Sequence, residues 1–140
     1  MDYEIVRSEA ATEDDMRAIV VPLIAHNEQS APPLNSENLA LLIRDAEGKT
    51  IGGLWGRFGY DWLFVDYLAV PMELRGTGIG TKLLQQAEQL AIERHCVGLW
   101  LDTFSFQARP FYERLGYQVF GELEDYPRGH SRYFLQKRFR

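Results

Sequence analysis

The sequence holds a single cysteine, Cys96, so no intrachain disulfide can form. A chain of 140 residues needs none, since a domain of this size buries roughly 68–70% of the surface its unfolded form exposes. Cys96 stands beside Val97 at the start of an apolar run and reads as a small core residue; only His95 next to it could activate a thiol. No apolar run approaches the ~20 residues of a membrane span. The opening MDYEIVRSEA lacks the basic and then apolar pattern of a signal peptide. The expectation is a cytoplasmic protein without a membrane partner. Positive charge is in deficit: 15 Lys and Arg stand against 20 Asp and Glu, a net charge of −5. That argues against nucleic acid as the main partner, because binding phosphate backbones takes a cationic surface. His26, His95 and His130 are isolated, and no His, Cys and carboxylate spacing suggests a metal site. No repeat, low-complexity tract or linker appears, so one domain over residues 1–140 is expected.

What is present is alternating strand and helix signal. Tyr3–Arg7 reads as a short strand. A helix follows with Thr12 as its N-cap, acidic residues in its first turn, and Pro22 as a kink or interruption. Ser30–Asn38 is a polar, proline-containing loop. LALLIRD and TIGGLWGRFGY flank the turn AEGK and predict a hairpin, whose Gly52, Gly53 and Gly56 suggest a bulge or a close approach. Trp62–Val70 is nearly all apolar and predicts a central strand buried on both faces. Between Gly78 and His95 the apolar residues Ile79, Leu83, Leu84, Ala87, Leu90 and Ala91 share one helical face. VGLWLDTF predicts a second central strand and SFQARPFYERLG a short helix ended by Gly116. Two antiparallel strands close the chain around EDYPRGH.

The most informative stretch is LAVPMELRGTGIGTKLL, in which a strand stops at Pro71 and three glycines precede a strongly amphipathic helix. A helix N-terminus offers unpaired N–H groups and partial positive charge. Glycines let the backbone come close to an oxygen, and Arg75 adds a fixed cation, so the stretch has the form of a phosphate cradle. A P-loop is excluded, because GxxxxGK followed by Ser or Thr is absent. A dinucleotide site would need GxGxxG early in a βαβ unit, and the spacing here is GxGxG. The bland alternative is a tight turn that binds nothing.

Arg75-x-x-Gly78-x-Gly80 resembles the (Q/R)xxGx(G/A) signature of the GCN5-related N-acetyltransferases (GNAT), and SFQARPFYERLGY resembles that family's second motif at Ala108, Phe111, Tyr112, Gly116 and Tyr117. The two motifs stand in the family's order with one helix and one strand between them. The resemblance is strongest from Trp62 to Phe120. It implies an α/β GNAT-like fold: a mixed, mostly antiparallel sheet with splayed central strands and helices on both faces. It also implies acetyl transfer from acetyl-CoA to an amine of a small molecule or peptide. A homodimer is an open option, since the family often dimerises. The alternatives are a coenzyme A-binding sensor or scaffold without catalysis, and a nucleotide- or phosphate-binding scaffold.

The resemblance assigns the pyrophosphate to Arg75, Gly76, Thr77, Gly78, Ile79, Gly80 and Thr81, and the pantetheine arm to the backbone of Leu68, Ala69 and Val70. Ser105 stands where the family has an asparagine; a serine can cap the following helix, and its part toward the cofactor arm is open. Tyr112 takes the position of the acid that protonates the departing thiolate; a phenol near pKa ~10 suits a thiol near ~8.5. From the residues alone, Asp66 interrupts an apolar strand and Asp102 ends its neighbour. A carboxylate in a central strand is costly unless paired or functional. Either could accept the amine's proton or attract the ammonium, with Asp66 preferred; either could also be a structural hydrogen-bond acceptor. Trp55 and Trp62 read as core or acceptor-pocket residues, with core packing preferred, and His130 as a loop residue rather than one bordering that pocket.

Overall fold

In the computed structural model, which describes residues 1–140, the Thr12 hydroxyl accepts a hydrogen bond from the Asp15 N–H (3.2 Å), and the Asp15 carboxylate accepts one from the Thr12 N–H (3.1 Å). This capping box starts helix α1 (Glu13–Ser30) at the expected N-cap. The chain divides into two compact units, residues 1–33 and 34–140. In the first unit α1 runs through Pro22 uninterrupted, and none of its residues is buried. Tyr3–Arg7 forms no strand, contrary to expectation. A strand-like composition is not sufficient; the N–H and C=O groups of a strand need a neighbouring ladder, and Tyr3–Arg7 joins none.

The second unit is built on one six-stranded sheet of β1 (Glu37–Arg44), β2 (Thr50–Gly59), β3 (Trp62–Ala69), β4 (Gly98–Phe104), β5 (Gln118–Glu124) and β6 (Ser131–Arg138), in the order β1-β2-β3-β4-β6-β5. Every neighbouring pair is antiparallel except β3 with β4, so the mixed, mostly antiparallel sheet expected from the sequence is present. Helices α2 (Ile79–Glu93) and α3 (Arg109–Arg114) lie in the connections before and after β4. No helix is long and apolar enough to cross a membrane.

The apolar face of α2 buries Leu83, Leu84, Ala87 and Ala91. They join Leu63 and Val65 of β3, Leu99 and Leu101 of β4, and Leu135 of β6 in one core. Cys96 belongs to that core, and burial pushes its thiol pKa up, which fits a packing residue. Strand β3 is not buried on both faces. Leu63 and Val65 are buried, whereas the alternating Trp62, Phe64 and Asp66 are only partly so. An apolar run cannot distinguish the two cases, because aromatic side chains can cover one another on an open face. Phe64 and Trp100 do so, with ring centroids 4.1 Å apart.

Two local features shape the middle of the sheet. Trp55 pairs with Tyr67 and Gly56 with Val65, so Asp66 is the extra residue of a β-bulge. Gly56 is required there: a Cβ would stand 2.8 Å from the Phe64 carbonyl oxygen. The parallel ladder of β3 and β4 ends at Val65 and Leu101, beyond which the two strands no longer pair with each other. Leu84→Ala, at a side chain with no exposed surface, is expected to lower the unfolding free energy by about 2–5 kcal/mol in urea denaturation. A loss below ~0.5 kcal/mol, the range of surface substitutions, would contradict the seating of α2 on the sheet.

Candidate active site

Where β3 and β4 separate, a cavity of about 1150 Å³ opens between the strand ends, the start of α2 and helix α3. Asp66, Leu68, Ala69 and Val70 line it from β3 and its exit, and Arg75, Gly76, Gly78, Ile79, Gly80 and Thr81 from the glycine loop. Asp102 and Tyr112 line it from β4 and α3. The fold thus brings together all the site positions expected from the sequence except two. Thr77 faces away and donates its hydroxyl to the Leu74 carbonyl. Ser105 also lies outside the cavity wall; its hydroxyl oxygen accepts from the Ser131 N–H (3.0 Å) and sits 3.3 Å from His130 Nδ1. Ser105 does not cap α3, whose N-cap is Ala108. Trp55 and Trp62 are absent from the wall as well.

The glycine loop ends in an open helix terminus. Gly78, the N-cap of α2, adopts φ +84° and brings no side-chain cap, and the first turn holds no acidic residue. Lys82 N–H makes the first bond of the helix, to the Gly78 carbonyl (3.1 Å). The N–H groups of Ile79, Gly80 and Thr81 therefore precede the ladder, and all three residues line the cavity. Arg75, held by a bond from its Nε to the Val70 carbonyl (3.3 Å), and Arg114 line the same end. Neither takes part in an ion pair. Uncapped N–H groups, a helix dipole and two unpaired guanidiniums fit a pyrophosphate.

The other end carries charge that is already compensated. Asp66, at the bulge, accepts from Arg57 Nε (3.1 Å) and Nη2 (3.2 Å). Asp102 accepts from Arg132 Nε (2.9 Å) and Nη2 (2.8 Å). The Arg57 pair is the more open one: the Arg57 side chain is 56% exposed and that of Arg132 26%. The same cavity is lined by Tyr112, a buried residue whose phenol makes no hydrogen bond to the protein. Burial, together with the charge of Asp102, pushes its pKa up to about 12, so the hydroxyl keeps its proton throughout the physiological range. Tyr117, its neighbour in the second motif, serves the fold instead: its hydroxyl donates to Glu88 (2.7 Å), which also accepts from Lys137 (3.1 Å).

Arg57 and Arg132 escaped the sequence reading, since each lies on a different strand from its carboxylate and 9 or 30 residues away. Gln107 escaped it too. Its side-chain oxygen accepts from the Phe104 N–H (2.9 Å) and the Thr103 hydroxyl (3.2 Å), tying the end of β4 to the start of α3. A glutamine three residues after a strand gives no distinctive sequence signal.

Comparison with known proteins agrees with this geometry. The model of the acetyltransferase (GNAT) family matches residues 8–117. The chain belongs to the GNAT acetyltransferase family. It is 37% identical to an acetyltransferase of Agrobacterium fabrum over 134 residues, covering 96% of this chain and 98% of that protein. It is 41% identical over 91 residues to the blasticidin-S acetyltransferase of Streptomyces morookaense, covering 64% and 67%. The crystal structure of an acetyltransferase from Agrobacterium tumefaciens superposes with a TM-score of 0.92 at 36% identity, over 98% of this chain and 100% of that one. The protein is an N-acetyltransferase with acetyl-CoA as its co-substrate.

The acetyltransferase loop makes a specific demand at Gly78. A Cβ there meets no atom within 4 Å, so Gly78→Ala is opposed by its φ of +84° rather than by crowding, at about 1–2 kcal/mol. Gly48, at φ +81° with equally open surroundings in the β1–β2 turn, is the matched control. Both alanine variants are expected to lose similar stability. Only Gly78→Ala should weaken coenzyme A in calorimetric titration, by roughly ten-fold, equivalent to ~1.4 kcal/mol. Equal affinities for the two variants would contradict the loop's place in the site.

Proposed function

We propose that this acetyltransferase moves the acetyl group directly to a primary or secondary amine of a small molecule or peptide. One observation carries the reading: a single cavity joins an uncapped helix N-terminus, a protonated tyrosine and two carboxylates. The blasticidin-S acetyltransferase among the relatives supports a small-molecule acceptor. All assigned residues come from one chain, so the reading does not depend on a homodimer. We take residues 1–140 as one functional domain, because the family match crosses both units. A cytoplasmic setting, without nucleic acid or membrane as partner, goes with this assignment.

Acetyl-CoA supplies an activated acyl group on a thiol leaving group. Arg75, Gly76, Gly78, Ile79, Gly80 and Thr81 would hold its pyrophosphate, and the strand segment Leu68–Val70 its pantetheine arm. That segment no longer pairs with β4, which leaves backbone groups on the cavity side free to bind. Tyr112 would give its proton to the departing sulfur, a role for which a phenol held neutral by burial is suited. Asp66 would receive the amine. Its two oxygens accept two bonds from Arg57, leaving lone pairs for an ammonium or for water that removes its proton. Asp102 is the poorer candidate, because its shorter bonds to Arg132 and deeper burial fit a structural pair.

Tyr112→Phe is expected to lower kcat by about ten- to ten-thousand-fold, with the acetyl-CoA Kd unchanged. Because the Tyr112 proton is lost only near pH 12, the wild-type rate should show no alkaline limb from this group below about pH 11. Near-normal turnover of Tyr112→Phe in single-turnover measurements would return Tyr112 to a packing role. Asp66→Asn should reduce kcat/KM for the amine by more than Asp102→Asn does, with acetyl-CoA affinity unaffected in both. The reverse ranking would transfer the amine to Asp102. If acetyl-CoA binds and no member of an amine panel is acetylated, the acceptor assignment fails.

A further inference from the structure

We infer that the acetyltransferase recognises amines carried on a flat aromatic or heteroaromatic body, by stacking on a shelf made of Phe104, Phe106 and Tyr126. This rests on the amine-acetylation reading above and names the class of acceptor. The three rings come from the end of β4, the residues after it and the β5–β6 connection. Phe104 and Phe106 are stacked at 5.2 Å with planes 9° apart, and Phe104 and Tyr126 at 5.7 Å with planes 12° apart. Near-parallel planes present π-faces in a common orientation, and a further flat ring can continue such a stack. Yet Phe106 is 57% and Tyr126 46% exposed. Large aromatic surface is thus left in water although it is held in a fixed arrangement.

The shelf is held from behind. The Arg132 guanidinium lies 5.6 Å from the Phe104 ring and 5.2 Å from that of Tyr126, and Asp102 fixes its position. His130 meets Phe106 edge-on at 5.1 Å, and its Nδ1 is 3.3 Å from the Ser105 hydroxyl. Beside the rings is a second cavity of about 330 Å³, lined by Phe104, Phe106, Asp125, Tyr126 and Pro127. This volume is at the lower end of small-molecule sites.

Two observations select the occupant. Phe104 and Phe106 line both cavities, so the shelf is continuous with the acetyl-transfer site and reached from the end of β4 that carries Asp102. The pyrophosphate and pantetheine arm are assigned to the glycine loop and β3, so a group on the shelf is assigned to the acceptor. Asp125 supplies the charge: one carboxylate oxygen accepts the Gly129 N–H (3.2 Å), and the other is free for an N–H on the ring's edge or a cationic ring. The acceptor class is thus an amine reaching toward Asp66 and Asp102 from a flat ring, preferably one bearing N–H donors.

The test compares 2-phenylethylamine and tryptamine with 2-cyclohexylethylamine, whose saturated ring cannot stack, in the wild type, Phe106→Ala, Tyr126→Ala and the double variant. Acetylation is read as thiol release. Binding is read separately by ligand-observed NMR on protein saturated with coenzyme A, and circular dichroism checks the fold. The wild type should favour the aromatic amines by about ten-fold in kcat/KM, mainly through KM. The double variant should bring the two series within about two-fold of each other. Acetylation of both series without preference, or a preference that survives the double variant, overturns the shelf and leaves the amine reading standing. Ring binding that the double variant abolishes, with no amine acetylated, upholds the shelf and sinks the amine reading. Absence of both acetylation and ring binding overturns both.

Discussion

Strands β3 and β4 share four residue pairs, Trp62 with Gly98 through Val65 with Leu101, and then part. The site depends on that separation. While paired, the strands bury Leu63, Val65, Leu99 and Leu101 under α2 and supply the rigid floor of the unit. Once apart, they leave facing backbone groups that line the cavity. The bulge at Asp66, in the pairing with β2, follows directly on Val65, the last residue paired with β4, and the Asp66 carboxylate lines the opening.

Helix α2 connects stability to binding. Its apolar face is seated in the core through Leu84, Ala87 and Ala91, which fixes the position of its N-terminus. Gly78 leaves that terminus without a side-chain cap, and no acidic residue in the first turn competes for the exposed N–H groups. A free helix of this kind would gain from a serine or aspartate cap. Its absence here leaves unpaired N–H groups and a dipole facing the same cavity as Arg75 and Arg114. At the opposite end the charges are internally balanced by Arg57 and Arg132. The cavity is thus electrostatically polarised along its length, anion-seeking at the glycine loop and neutral to acidic where an amine would enter.

Much of this was legible in the sequence. The glycine loop was legible because its chemistry is local, a turn and a helix start, whereas the FYERLGY segment was singled out by the family resemblance. Patterning predicted the hairpin, the central strands and the closing antiparallel pair, and the resemblance implied the mostly antiparallel sheet. What escaped was non-local. Arg57 and Arg132 meet Asp66 and Asp102 only through strand pairing, and the parallel rings of Phe104, Phe106 and Tyr126 assemble from separate segments. The Tyr3–Arg7 strand failed for a related reason, since composition cannot say whether a partner edge is available. Ser105 was one possible cap of α3; it does not cap it, and Gln107 and Thr103 organise that turn instead.

The central claim is that one cavity orients acetyl-CoA from the start of α2 to Tyr112. A crystal structure with coenzyme A bound tests it most directly. Pyrophosphate oxygens should lie about 2.7–3.2 Å from the N–H groups of Ile79, Gly80 and Thr81, with the thiol directed at the Tyr112 hydroxyl between β3 and β4. A pyrophosphate bound away from the glycine loop, or a thiol pointing out of the opening between the two strands, would contradict the account.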